Sequence, residues 1–569
     1  MSKFEDCSGL ELNNSTIYNF HHDLIELYLN LSRKNCPLVI EQIYNNYCNS
    51  IQRIINDETI NEPNKKRHLL LLYKLIAQTR DITYGKGERL LTYALIGAWY
   101  KFYPVSASFA IKAMVSNSDN DNDLFSPYGS WCDIKYFCCY INNTTYIDDD
   151  SKTKLIDTAI GIMNYQINND RIAWNNSLKT YLEDKMNNPA SFLQRPIGRD
   201  LMSFAVKWSP RENSKYGWLH ELLVVQWVKM FTTNVMCETK GQIGVCKRNY
   251  RKMISALNKE LDTTQIKQCA NKWSTINPDN VSIGTIIKQK TTFSKTFNPD
   301  RIECNNNFNE YYEEINAIGD CKHSMNRSLL PLSKIVDYAM KFIENGACNV
   351  RQKKWINSIW NKNMIHVTKS TLDNSIPIID ISWDLDNDSR NTAIGLGIAV
   401  AIKSNINRII IYDNVSYWLS LSPNEEFTSI VEKIYNKTKT ATLSNIDSAF
   451  SLISEAFAST VTYENKSIMD NMVFFIFNGG KELNASLKQQ FTSSSFIYWN
   501  IQRTYYLKYE QFDTTPGNFH LCGNSISDIN NIQKYYIDRF KTGDLGNYIE
   551  NILNNPRYKS MEQFLIDVM

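Results

Sequence analysis

The nine residues Ile376-Pro377-Ile378-Ile379-Asp380-Ile381-Ser382-Trp383-Asp384 constrain this chain more than any other stretch. An apolar run of this length reads as a strand buried on both faces, as in parallel sheets. It ends in a carboxylate, a hydroxyl and a second carboxylate at alternate positions, Asp380, Ser382 and Asp384. Oxygen groups at the carboxyl end of such a strand lie where open α/β sheets bind ligands. Hard cations such as Mg2+ favour oxygen donors of this kind. The plainer reading is a strand followed by an acidic turn, since Asp386 and Asp388 continue the run.

Beyond Asp384 the pattern alternates. Thr392 to Ile402 is apolar and rich in small residues, as a helix lying close against a sheet would be, and Gly395 and Gly397 read as close-packing positions. Further strands are expected at Arg408–Asp413, Met472–Phe477, Phe496–Ile501 and Asn518–Cys522, with helices at Glu425–Lys437 and Ile446–Ala458. Strands and helices in alternation predict a doubly wound, mostly parallel sheet. No GxGxxG follows the first strand and no GxxxxGK[ST] occurs, so the usual nucleotide signatures are missing.

In this order the residues resemble a von Willebrand factor A domain. That family's metal-ion-dependent adhesion site carries D-x-S-x-S after the first strand, a threonine from a second loop and an aspartate after a later strand. Asp380 and Ser382 match the pattern, and Asp384 stands at the second serine. Ser444 is the candidate for the threonine position, and Asn478 stands where the last aspartate should be. The resemblance therefore implies a degenerate site, binding Mg2+ weakly at most.

A chain of 569 residues is too long for one core. The first 370 residues show helical periodicity instead, at Asp23–Arg33, Lys66–Gln78, Leu90–Phe102, Lys154–Tyr165, Leu219–Phe231, Arg248–Leu261 and Ser333–Asn345. Helices joined by short polar links, with no fixed repeat length, predict an irregular HEAT-like array. The expected class is multidomain α plus α/β. A helical-repeat domain over 1–370 precedes an A-type domain over 371–569, with the boundary near Ser370.

Three motifs in the helical half carry a second resemblance. They are Arg80-Asp81-Ile82-Thr83-Tyr84-Gly85-Lys86-Gly87-Glu88-Arg89; Tyr128-Gly129-Ser130-Trp131-Cys132-Asp133-Ile134 with Lys207-Trp208-Ser209-Pro210-Arg211; and Tyr250-Arg251-Lys252 to Leu261 followed by Trp273-Ser274-Thr275-Ile276. Their order, with the A-type domain behind them, resembles the Ro autoantigen (TROVE) group. It is nearest to a poorly characterised branch of helical-repeat plus A-domain proteins in plants, fungi and large DNA viruses. Ro proteins are rings of helical repeats closed by the A domain, and they bind small structured RNAs and RNA ends. Each motif also has a structural reading. Gly85-Lys86-Gly87 suits a turn between helices better than a phosphate loop, Arg80, Asp81, Glu88 and Arg89 suit ion pairs fixing that turn, and Trp131 and Trp208 suit packing.

Charge is unevenly spread. Lys240 to Arg301 holds twelve basic and four acidic residues, a local net of +8, whereas Thr371 to Met569 holds 16 basic and 22 acidic, a net of −6. This asymmetry points to a polyanion, most simply RNA, although the acidic half of the chain could itself face the basic segment. Lys247, Arg248, Arg251, Lys252 and Lys259 are the candidate phosphate contacts, four of them falling close to one helical face.

Other chemistry is not signalled. Seven histidines include no HExxH, and neither a G-x-S-x-G elbow nor a Cys/His nucleophile pattern occurs. A non-enzymatic binding protein is expected. Thirteen cysteines without framework spacing predict reduced thiols in a cytosol-like compartment. Cys304, Cys321 and His323 lack a CxxC partner and read as structural rather than zinc-binding. The longest apolar run, Ala393 to Ile402, is too short to span a bilayer, and the polar start MSKFEDCSGL lacks a signal-peptide core. Expected partners are RNA or other proteins, with no membrane; a cytoplasmic location is expected, and a virion is the alternative.

Overall fold

The computed structural model describes residues 14–32, 36–116, 126–188, 192–232, 239–317, 330–344, 346, 350–364, 372–458, 472–491, 494–502, 506–508, 517–524, 526, 528–529, 531–532 and 545–568. Ser370, Cys321 and His323 lie outside them. Among the described residues the chain divides into two compact units. One takes in 14–91, 312–317 and 330–562; the other takes in 92–311 and 563–568.

The first unit is built on a six-stranded sheet: β1 (Ser375–Asp380), β2 (Arg408–Tyr412), β3 (Ser416–Ser420), β4 (Val473–Asn478), β5 (Ser495–Asn500) and β6 (Asn518–Cys522). Their order is β3-β2-β1-β4-β5-β6. All pairings are parallel except that of β2 with the edge strand β3. β1 is buried along its whole length, as its unbroken apolar run requires. Alternate residues face opposite layers. Ile376, Ile378, Ile410, Phe474 and Ile476 pack with Ile446, Phe450 and Ile453 of the helix Ile446–Ala458. On the other face the helix Asn387–Ala401 approaches so closely that a Cβ at Gly397 would lie 2.3 Å from Ile379 Cδ1. A Cβ at Gly395 would lie 2.8 Å from Leu332 Cβ of the helix Leu332–Glu344. These glycines set the spacing of layers on that face. Trp360, from the helix Val350–Met364, stacks at 4.0 Å on Phe427 of the helix Phe427–Thr438.

The amino-terminal helices Asn14–Asn30, Pro37–Asn56 and Glu62–Arg80 belong to this same unit. The first packs against β6 and the helix Leu545–Leu553. After Arg80 the chain folds back on the helix it has just left. The amides of Gly85 and Gly87 donate to the Asp81 carbonyl, that of Lys86 to Gln78, and that of Glu88 to Thr79. Gly85-Lys86-Gly87 is thus a turn whose amides are already spent. Its lysine is buried, donating to the Tyr28 carbonyl and standing 3.7 Å over the Tyr28 ring. Asp81 accepts two bonds from Arg557, at 2.6 and 3.0 Å, with both side chains buried.

Asp528, also buried here, has its carboxyl pushed up to about 7 by burial, against the opposing charge of Lys86 and a hydrogen bond from Asn531. A folded-state value above the unfolded one of about 3.9 means the native state holds the extra proton in between. Stability from this group is therefore full below the unfolded value and is lost as pH rises to about 7. Asp528→Asn should gain on the wild type in moving from pH 5 to pH 8. Denaturant melts at the two values check this, and an equal gap at both would refute it.

In the second unit the helices Cys132–Asn143 and Gly217–Phe231 both pack on the long helix Asp149–Asn187. Asp133, buried at the start of the first of these, accepts from the Tyr93 hydroxyl at 2.6 Å and from the Ser130 amide at 2.8 Å. Trp131 beside it is buried. The Tyr128–Ile134 motif is accordingly an anchored helix start.

Candidate functional site

Strand order reverses between β1 and β4, so a crevice opens at their carboxyl ends, the usual ligand position in such sheets. Asp380 ends β1 and Asn478 ends β4. Asp380 is buried, and its carboxylate accepts the Ser382 amide at 2.9 Å and the Ser444 hydroxyl at 2.8 Å. Burial raises its affinity for a proton; bonds from Ser382 and Ser444 and the charge of Lys481 act against that rise. The Ser382 hydroxyl is buried near this carboxylate without a well-formed bond of its own. Tyr412, buried at the end of β2, places its hydroxyl among Asp380, Ser444 and Asn478, and burial pushes its ionisation well up.

Three loops hold these groups. Asp386 caps the helix Asn387–Ala401 through the Ser389 amide, which fixes the far end of the loop after β1. Asp413, just past β2, accepts from Thr442 at the amide and hydroxyl and from the Val415 amide. This holds the loop that presents Ser444. Asn478 closes the third loop on itself: its oxygen accepts the Gly480 amide at 2.9 Å and its nitrogen donates to the Lys481 carbonyl at 2.6 Å.

The structure thus brings Asp380, Ser382 and Ser444 together, and it commits the Asn478 amide to its own turn. Asp384 stands nearer the surface, its carboxylate 2.5 Å from the Lys481 ammonium, which also reaches the Ser444 carbonyl at 3.4 Å. Arg390 adds a second positive charge facing Asp380 and Asp386. Sequence reading missed Lys481, Tyr412, Asp413 and Arg390. The Tyr412-Asp413 pair at the end of an apolar strand was the available signal; Lys481 gave none. As they stand, these oxygens share the site with the Lys481 ammonium, which engages Asp384 and so competes with any cation for that carboxylate.

The basic candidates lie on the helix Lys240–Leu261 of the second unit. A capping box between Thr239 and Gln242 starts it, and Asp262 in the left-handed region ends it. Cys246, Tyr250, Leu257 and Leu261 form its buried face. The Tyr250 hydroxyl donates to Asn164, and Asn258 donates to the Val206 carbonyl. Opposite that face, Arg248, Lys252 and Lys259 are exposed. At 100° per residue they fall within about 40° of one line and span roughly 16 Å. None of the three makes an ion pair among the described residues. Lys247 and Arg251 stand to one side and are paired, with Glu221 and Glu212.

Elsewhere in the basic segment, Arg301 lies 3.1 Å over the Trp273 ring and bonds the Thr292 carbonyl. Lys267 pairs with Asp262. Burial lowers Lys290 to about 8. The +8 of the segment is therefore partly spent inside the fold. A feature the sequence did not reveal lies on the short helix Ala205–Trp208, which packs on Lys240–Leu261. The Lys135 ammonium stands 4.9 to 5.0 Å from the rings of Tyr136, Trp208 and Tyr216. Lys207 lies near Phe204 and Trp208, and Lys215 near Tyr216.

No protein-family model matches the chain. It is similar to an uncharacterised protein of Acanthamoeba polyphaga mimivirus, with 21% identity over 337 residues. The match covers 58% of this chain and 50% of that protein, so the chain spans about half the length of the relative it matches. Among the described residues no helix is long and apolar enough to cross a membrane.

Proposed function

We propose that this chain is a non-enzymatic RNA-binding protein of the Ro (TROVE) kind, with an irregular helical-repeat region and a von Willebrand factor A-like module at its carboxyl end. The observation that carries the reading is the exposed line of Arg248, Lys252 and Lys259. Cations spaced along one open helix face suit phosphates, which position a nucleic acid without reading its bases. In the same unit the rings of Trp208, Tyr216 and Phe204, interleaved with lysines, are of the type on which bases stack. A cytosol-like compartment fits this role, and the viral relative makes a virion the alternative.

Replacing Arg248, Lys252 and Lys259 together by alanine should weaken RNA binding on the order of a hundredfold near 0.1 M salt, from three contacts at about 0.7 each in the salt exponent. Arg251→Ala, which removes a cation already paired with Glu212, should cost less. Filter binding of the full chain checks both; equal affinity for the triple variant and the wild type would defeat the reading. One observation favours a protein-docking role instead. Trp383 is 67% and Leu443 70% exposed, and the Trp383 amide bonds Thr442, so two large apolar side chains stand on adjoining loops at the sheet edge. Purification in stoichiometric complex with another protein, without RNA, would favour that role.

A further inference from the structure

We infer that Lys481 is the cation of the sheet-edge site, a tethered ammonium in place of a divalent metal ion. The inference is independent of RNA binding. It rests on how the three loops meet. Asp384 comes from the loop after β1, Ser444 from the loop before the helix Ile446–Ala458, and Lys481 from the loop after β4. The ammonium joins all three, at 2.5 Å from Asp384 Oδ2 and 3.4 Å from the Ser444 carbonyl, with its charge felt at Asp380.

The residue that aims the lysine is Asn478. Both ends of its amide are engaged within the turn to Lys481, so the position that would offer a carboxylate to a metal instead folds the lysine back over the crevice. The remaining oxygens are arranged to match. The Ser444 hydroxyl donates to Asp380, tying the loop before the helix Ile446–Ala458 to the end of β1. Arg390 supplies positive charge from the side of the helix Asn387–Ala401. Asp380, Asp384 and Asp386 thus face Lys481 and Arg390, and the loops are held together without an exchangeable ion. What remains latent is cation binding: without the ammonium, Asp384 loses its partner while the buried Asp380 carboxylate and Ser382 hydroxyl stay at the end of β1, and a divalent ion is the replacement to test.

The test uses the full chain, with Mn2+ and Mg2+ as the probes. Titration calorimetry and thermal melts are run on wild type, Lys481→Met, Lys481→Arg and the double variant Lys481→Met/Asn478→Asp. Wild type and Lys481→Arg should melt at the same temperature in chelator and in millimolar Mn2+. Lys481→Met should melt lower in chelator, recover with Mn2+, and bind Mn2+ at least tenfold more tightly than wild type; the double variant should bind more tightly still. Wild-type affinity for Mn2+ or Mg2+ equal to or above that of Lys481→Met would overturn the inference. So would failure of both methionine variants to bind Mn2+ while folded. Should those variants not fold, the wild-type titration still decides: saturable micromolar binding overturns the inference, and none upholds it.

Discussion

Asp81→Ala is expected to destabilise the sheet-bearing unit by roughly 3–5 kcal/mol, the cost of leaving a buried charge without its partner. Arg557 is almost wholly enclosed and spends its Nε and one terminal nitrogen on the Asp81 carboxylate. The same carboxylate accepts from the Thr83 amide and lies 3.4 Å from the Tyr558 hydroxyl. Loss of Asp81 therefore removes the paired carboxylate from a buried guanidinium and frees the turn that follows. For a unit of this size the melting temperature should fall by roughly 5 °C. Exchanging both partners for apolar residues, Asp81→Leu with Arg557→Met, should recover most of the loss, because a buried ion pair contributes little net energy over a well-packed apolar pair. A single variant melting within a degree or two of wild type would show that the pair does not hold this part of the fold.

Gly85→Ala should be the second large effect. A Cβ there would lie 2.0 Å from the Gln78 carbonyl oxygen and 2.9 Å from Asp81 Cβ. That oxygen already accepts the Lys86 amide at 3.0 Å, so relief of the clash breaks the turn's own hydrogen bond. Roughly 2–3 kcal/mol should be lost, the upper part of the range for overpacking. Gly87→Ala is the comparison. Its φ of +70° strains any side chain, yet the nearest atom stands 4.0 Å away. Strain alone costs about 1–2 kcal/mol. Urea melts should rank Gly85→Ala below Gly87→Ala, and the reverse order would contradict the geometry.

The sheet was legible wherever a strand is buried on both faces. The runs at Ile376, Ile409, Phe474 and Ile497 are continuous and apolar because parallel strands have no wet side. β3 was not foreseen, since Ser416–Ser420 is a half-buried edge strand with serines at both ends. The long helix Asp149–Asn187 was visible only over Lys154–Tyr165. Its later turns carry few buried residues beyond Trp174, so the apolar period fades while the helix continues. Among site residues, Asp380 and Ser382 stood out because they end a recognisable strand. Lys481 was invisible because its role depends on a contact with Asp384 across 97 positions of sequence. Helical spacing put Arg248, Arg251, Lys252 and Lys259 close to one face; three of them share an exposed line, whereas Arg251 stands to one side and is paired with Glu212. The acids that pair with Lys247 and Arg251 come from elsewhere in the unit, and spacing within one helix cannot show them.

We propose that this chain holds RNA by its phosphates through Arg248, Lys252 and Lys259. The most direct measurement is equilibrium binding of the full chain to single-stranded RNAs of different sequence across a series of salt concentrations. The predicted result is a logarithmic salt dependence with a slope of about −2 or steeper, the same for every sequence, as three or more phosphate contacts at about 0.7 each require. Absence of binding at low salt, or an affinity that is indifferent to salt, would contradict it.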